Sequence, residues 1–244
     1  MENIKKIIDG KKYSEKFLKQ VYPLSTSFYK KFNRKPCLAV ILVGDNTASG
    51  IYVKNKVHTA EKNGIKSVKV ILSNKVSEAN LLNEILKLNE DQNVDGILVQ
   101  LPLPLHISEK KIIHSINPMK DVDGFHPINF GKLFMGDPNF VPCTPLGCYY
   151  MLKNELKELS GKNAVIIGRS NIVGKPMASL LLASNCSVTI THSKTKNLRE
   201  HCKKADILIS AVGIPEMVDE TYVKHNAIII DIGIIRLQFF NSET

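Results

Sequence analysis

No stretch of this 244-residue chain is long and apolar enough to span a bilayer. The longest apolar runs, such as Cys37 to Val43, fall far short. The opening Met1-Glu-Asn-Ile-Lys-Lys lacks an apolar signal core, so a cytoplasmic address and no membrane partner are expected. Cysteine is sparse: the five residues (Cys37, Cys143, Cys148, Cys186, Cys202) form no Cys-x-x-Cys pair and no pattern interleaved with His. That speaks against a disulfide framework or a zinc site and leaves reduced structural thiols and no metal as the expectation. Blocks of basic charge are missing as well. The net charge of +10 comes from 33 Lys and Arg against 23 acids, but the lysines are scattered and no aromatic–basic alternation runs with them. This reads as solvated surface with a bias toward anionic small ligands, and nucleic acid is not expected as a partner. What remains, 43% hydrophobic and 23% charged, is an ordinary globular composition with room for two modest domains.

The chain is organised around Asn163-Ala-Val-Ile-Ile-Gly-Arg-Ser-Asn-Ile-Val-Gly-Lys-Pro176. The apolar run Ala164 to Ile167 stops at Gly168, and a helix-compatible segment from Pro176 to Ala183 follows Gly174. That is a buried parallel strand, a glycine turn and a helix start. Free backbone N–H groups and the positive helix end converge at such a junction and suit a phosphate. The spacing, Gly-x5-Gly, is neither Gly-x-Gly-x-x-Gly nor the nucleotide P-loop. A plainer reading therefore stays open, in which the two glycines only let strand and helix approach closely.

In the first half, Tyr13, Phe17, Val21, Leu24, Phe28 and Phe32 recur at helical spacing, and Pro23 is expected to kink or split that helix. Cys37 to Val43 reads as a buried strand ended by Gly44-Asp45-Asn46, a turn and helix N-cap. The helix behind it carries Ser49, Tyr52 and Lys56 on one face at the carboxyl end of a strand, where open α/β sheets bind ligands. Taken alone, with Lys54, Lys56 and Lys62 along it, this helix reads more readily as a solvated surface with a chance lysine. Ser67 to Leu72 and Asp95 to Val99 are further strands, and Gln100 is left at the end of the second by Leu101-Pro-Leu-Pro104. Asp121-Val-Asp123 offers only two carboxylates, so a turn with one functional Asp fits better than a metal loop. Residues 131 to 140 are loop-rich, which places the domain division at 1–140 and 141–244.

Pro142-Cys-Thr-Pro145 opens a helix with Thr144 as the expected N-cap and Pro145 as its first residue; Leu146, Tyr149 or Tyr150, Leu152 and Leu156 should face inward. Strands follow at 187 to 191, 207 to 211 and 227 to 232, with a helix near 197 to 203, giving a doubly wound parallel sheet. In an NAD site an acid ends the second strand. Here Thr191-His-Ser-Lys194 has none, and Ser193, Lys194 and Arg169 suit a 2′-phosphate, hence NADP.

Six motifs in order carry a resemblance: Val-Gly-Asp-Asn at 43–46, Ser-x-x-Tyr-x-x-x-Lys at 49–56, Val-Gln-Leu-Pro-Leu-Pro at 99–104, Lys-Asp-Val-Asp-Gly-Phe at 120–125, Pro-Cys-Thr-Pro at 142–145 and Gly-Arg-Ser-Asn-Ile-Val-Gly-Lys-Pro at 168–176. Together they resemble the bifunctional methylenetetrahydrofolate dehydrogenase/methenyltetrahydrofolate cyclohydrolase family. The resemblance implies an N-terminal α/β folate-site domain, a Rossmann-like NADP domain, a folate cleft between them and a homodimer acting on tetrahydrofolate derivatives. It implies NADP-dependent oxidation of the 5,10-methylene form to the 5,10-methenyl form, then hydrolysis to the 10-formyl form. By the same likeness Lys56 assists proton transfer and Gln100 orients it, Tyr52 stacks on the folate ring beside Ser49, and Asp123 reads the pterin's N–H donors. Gly168, Arg169 and Ser170 match phosphate and ribose contacts, Ser193 the second-strand contact, and Ile234 a backbone contact near the nicotinamide.

The chain departs from the family's pattern at Gly50, where a larger residue is usual, and at Ile235, which replaces an Asn in Asp231-Ile-Gly-Ile-Ile-Arg236. After Arg236 the family's Gly-Asp-Val segment, its Pro-Gly-Gly loop and its final helix do not appear. The alternative these departures imply is a catalytically impaired homologue that binds folate or NADP without turnover.

Overall fold

Continuous apolar runs become parallel strands, because a strand covered on both faces has no polar side to alternate with. The computed structural model describes residues 7–233. In it β1 (Cys37–Val43) lies between β2 (Lys66–Leu72) and β3 (Gly96–Val99), all parallel, in the order β2-β1-β3. The second half repeats the plan. There β4 (Asn163–Ile167) lies between β5 (Ser187–Thr191) and β6 (Ile207–Ser210), with β7 (Ile228–Asp231) outside β6, again all parallel. Each sheet belongs to its own compact unit, one running to residue 132 with 138–141, the other formed by 133–137 and the chain from 142 onward. Both are doubly wound: from the first strand the chain goes to one side, then crosses to the other.

Each sheet has its own clasp, of the same design, at its amino end. Asp95 donates its backbone N–H to the Cys37 carbonyl (2.9 Å) and accepts the Cys37 N–H on Oδ2 (2.8 Å). Asp206 does the same to Asn163, at 2.8 Å in both directions. Each carboxylate also meets a cation: Arg34 grips Asp95 with two N–H groups at 2.7 and 2.8 Å, and Lys224 reaches Asp206 at 2.6 Å. Burial pushes the Asp95 carboxyl up, but Arg34 and the Cys37 N–H together outweigh it and hold the group below its ordinary range. Lys224, then the Asn163 N–H, lower Asp206.

Helices cover the sheets. The first, α1 (Gly10–Phe32), starts at Asp9, whose side chain accepts the Lys11 and Lys12 N–H groups. Of the two expected outcomes at Pro23, a kink or a split, the split does not occur, and the helix runs through the proline. The Ser25 and Thr26 hydroxyls both donate to the Tyr22 carbonyl, and Ser25 also ties the helix to the Asn63 carbonyl at 2.7 Å. In α3 (Glu78–Glu90) the buried face is Leu81, Ile85 and Leu88, as the spacing predicts. Two helices were not foreseen: α4 (Glu109–Ser115), capped by Ser108, and α5 (Pro127–Phe134), which runs into the expected loop. The helix α6 (Cys143–Glu155) starts two residues early, with Pro142 rather than Thr144 at the cap, since the Leu146 N–H already bonds the Pro142 carbonyl at 3.0 Å. Pro145 is tolerated there because the first-turn N–H groups have no intrahelical partner to lose. The inward face of α6 is Pro145, Cys148 and Leu152, while Leu146 is exposed. All five cysteines are free, with only Cys143 exposed. No helix among the described residues is long and apolar enough to cross a membrane.

Candidate active site

Where strand order reverses, neighbouring strands send their connections to opposite faces and leave a crevice at their carboxyl ends. The first such point lies between β1 and β3. Beyond β1, Gly44 turns with φ +84° and bonds the Leu72 carbonyl at 2.8 Å. Asn46 then accepts the Ser49 N–H on Oδ1 (3.2 Å), starting α2 (Thr47–Lys62) at the mouth of the crevice. Along α2, Ser49 is buried, Lys56 half-buried and the Tyr52 ring 47% exposed, so the three residues grade from sheet to solvent.

From the other wall comes Gln100. Its backbone N–H bonds the Ile41 carbonyl at 2.9 Å, and its side-chain Nε2 donates to the Leu101 carbonyl at 2.7 Å. With its nitrogen engaged, the amide presents Oε1 to Lys56, whose Nζ donates to it at 3.3 Å. The turn that follows is held by Glu109, which accepts the Leu103 N–H at 3.1 Å. The structure thus brings Lys56 and Gln100 together, as the sequence predicts.

The two aspartates of Lys120-Asp-Val-Asp123 part company. Asp121 is 1% exposed, and its Oδ2 accepts the His126 N–H and the Asn129 side-chain amide, each at 2.8 Å. Asp123 makes no hydrogen bond among the described residues. Burial pushes its carboxyl up, Lys56 draws it down and Asp121 adds to the rise. One Asp therefore builds the turn and the other stays available. The anchoring roles of Asp121 and Glu109 escaped sequence reasoning, since their partners lie elsewhere in the chain. No cluster of three His, Cys, Asp or Glu able to hold a metal occurs among the described residues.

The second reversal lies between β4 and β6. Gly168, at φ +114°, could not carry a side chain, because a Cβ would sit 2.6 Å from the Ala211 carbonyl oxygen. A Cβ at Gly174 would sit 2.3 Å from the Gly168 oxygen. The plainer reading of these glycines, close packing of strand on helix, is thus satisfied in full. The helix α7 (Gly174–Ala183) does not offer its first turn to a ligand. Ser170 Oγ takes the Val173 and Gly174 N–H groups at 3.1 and 3.3 Å, and the Ser170 carbonyl takes that of Lys175 at 3.1 Å. The backbone donors left without partners among the described residues belong to Arg169, Ser170, Asn171 and Ile172, so anion affinity resides in the loop rather than in the helix terminus.

At the end of the adjacent β5, Thr191 is buried and Ser193 and Lys194 are exposed, with Arg169 exposed one strand away. Neither Arg169 nor Lys194 has an ion pair among the described residues. This donor set fits a dinucleotide with a 2′-phosphate, and no carboxylate stands where NAD requires one. Ile234 lies outside the described residues.

Comparisons with known proteins agree in both halves. Residues 8–123 match the catalytic domain model of tetrahydrofolate dehydrogenase/cyclohydrolase, and residues 142–243 match the NAD(P)-binding domain model of the same family. The bifunctional protein FolD of Pelagibacter ubique is 52% identical over 228 residues, which are 93% of this chain and 81% of that protein. Among solved structures, the Campylobacter jejuni FolD methylenetetrahydrofolate dehydrogenase/cyclohydrolase superposes with a TM-score of 0.92 at 46% identity, covering 96% of this chain and 83% of that one. The Trypanosoma brucei enzyme, solved with NADP and an inhibitor, superposes at 0.89 with 33% identity, covering 93% and 78%.

Proposed function

This chain belongs to the tetrahydrofolate dehydrogenase/cyclohydrolase family, and on that premise we propose that it oxidises 5,10-methylene-tetrahydrofolate with NADP and hydrolyses the 5,10-methenyl product to 10-formyl-tetrahydrofolate. The observation that carries the reading is the 3.3 Å hydrogen bond from Lys56 Nζ to Gln100 Oε1 at the mouth of the first crevice.

Hydrolysis needs a group to take the proton released as water adds to the methenyl carbon and to return one as the ring opens. Lys56 fills that role. One Nζ–H donates to Gln100 Oε1 and fixes the nitrogen; to take the proton from the adding water Nζ presents its amine lone pair, and the ammonium so formed returns a proton to the ring nitrogen as the ring opens. Tyr52 presents a ring face on which the folate stacks, and Ser49 lies on the same side of α2. Asp123, unpaired and acceptor-only when ionised, takes the pterin's N–H donors. NADP would supply the hydride acceptor when bound; the chain's part is to hold the reacting groups in place. Gly168 shapes the turn whose loop donors at Arg169 and Ser170 contact phosphate and ribose, and Ser193 and Lys194 receive the 2′-phosphate.

The protein's division of labour falls at residues 1–140 for folate and 141–244 for cofactor, supported by the limits of the two family matches. It acts as a cytoplasmic homodimer with no nucleic-acid partner. Lys56→Gln tests the chemistry: cyclohydrolase turnover should fall about 100-fold or more, the scale of general acid–base catalysis. Full activity in that variant overturns the assignment.

A further inference from the structure

The proposed folate contact, Asp123, sits on a turn whose other members are all tied down. Lys120 Nζ donates to three carbonyl oxygens around the carboxyl end of α3, those of Leu88, Asn89 and Asp91, at 3.0, 2.8 and 2.8 Å. The Lys120 carbonyl accepts the Ile97 N–H of β3 at 2.7 Å. Val122 lies so close to Gly96 that a Cβ there would be 2.5 Å from its Cγ1. Asp121 closes the bracket. Its Oδ2 holds both the His126 N–H, one residue before α5, and the Asn129 amide within α5, while Asn129 also donates to the Pro118 carbonyl at 2.9 Å. A carboxylate that satisfies two donors from the next helix fixes the chain direction between residues 121 and 126, and Asp123 lies inside that span.

We infer that Asp121 is a positioning residue for the folate substrate: through its grip on His126 and Asn129 it holds the Asp123 carboxylate where the pterin donors can reach it. The inference rests on the reading of Asp123 as the folate contact. It assigns Asp121 no contact of its own with substrate.

A double-mutant cycle separates the inference from that reading. Asp121→Ala, Asp123→Ala and the double variant are purified as full chains, and KM for methylene-tetrahydrofolate and for NADP is measured with each. Asp123→Ala should raise the folate KM; if it does not, the reading of Asp123 fails, whatever Asp121 does. Given that rise, Asp121→Ala should raise the folate KM about tenfold with the NADP KM unchanged. It should add nothing further in the Asp123→Ala background, and Asp121→Asn, whose single oxygen can accept both donors, should restore most of the affinity. Equal effects on both KM values, or independent effects of the two substitutions, overturn the positioning role. Should Asp121→Ala fail to fold, Asn129→Leu removes one of the two grips and must show the same folate-selective rise, or the inference falls.

Discussion

Gly50 is the residue most open to improvement in this chain, and its replacement by alanine tests the account of α2. It lies in the first turns of the helix that carries Ser49, Tyr52 and Lys56, with no positive φ, and a Cβ added there meets nothing within 4 Å. Neither strain nor new packing enters, so the change reduces to backbone entropy in the unfolded chain and intrinsic helix preference. Those together favour alanine by about 0.8–1.0 kcal/mol in a helix interior. For a urea slope of about 2 kcal/mol per M, the midpoint of the N-terminal unit should rise by about 0.4–0.5 M, and its melting temperature by roughly 2–4 °C. Gly174→Ala is the counterpart with the opposite sign. The same methyl group there would be 2.3 Å from the Gly168 carbonyl oxygen, a backbone atom that cannot turn aside, so the C-terminal unit should melt earlier. Paired urea titrations read by circular dichroism, with the slope checked for constancy, decide the matter. An unchanged or lowered midpoint for Gly50→Ala would refute the claim that the glycine contributes only flexibility.

Two further predictions follow from charges. Asp123 has its carboxyl raised by burial, so the folded chain keeps that proton to a higher pH than the unfolded chain does. Stability is therefore lost as pH rises from the ordinary carboxylate range through the raised value, and Asp123→Asn removes that loss. The variant's melting-temperature advantage should grow with pH across that window and then level off, while folate affinity falls; an advantage that ignores pH contradicts the assignment. At the other site Lys194→Gln should raise KM for NADP about tenfold and leave KM for NAD unchanged, as one lost charge-assisted contact to a 2′-phosphate requires. Equal changes with both cofactors would remove Lys194 from the phosphate site.

Strands were the legible part of this chain. Fully buried runs such as Val165 to Ile167 have no polar residue to blur their ends, and each expected strand end falls within one residue of the observed one. The Lys56–Gln100 meeting was legible as well, because a lysine midway along α2 and a glutamine at the end of β3 converge once β1 and β3 are neighbours. What escaped was every feature whose cause lies elsewhere in the chain. The start of α5 is held by Asp121, six residues before Pro127, so no local capping pattern marks it. The continuity of α1 through Pro23 leans on the Asn63 carbonyl. The Ser170 hydroxyl faces the helix behind it, which a search for free donors at the glycine turn does not anticipate.

The paired clasps of Asp95 and Asp206 give each sheet a polarity. They bind the strands at their amino ends, while Gln100 and Gly168 stand at the carboxyl ends. Both carboxyls are held below their ordinary range, so what they contribute is fully present above the usual aspartate titration and drains away as pH falls through the depressed values. Acid therefore loosens each sheet from the end farthest from its ligand. The loss of stability in acid is thus placed at the amino pole of each sheet, while the carboxyl that keeps its proton to higher pH, Asp123, stands apart from both clasps beside the first crevice.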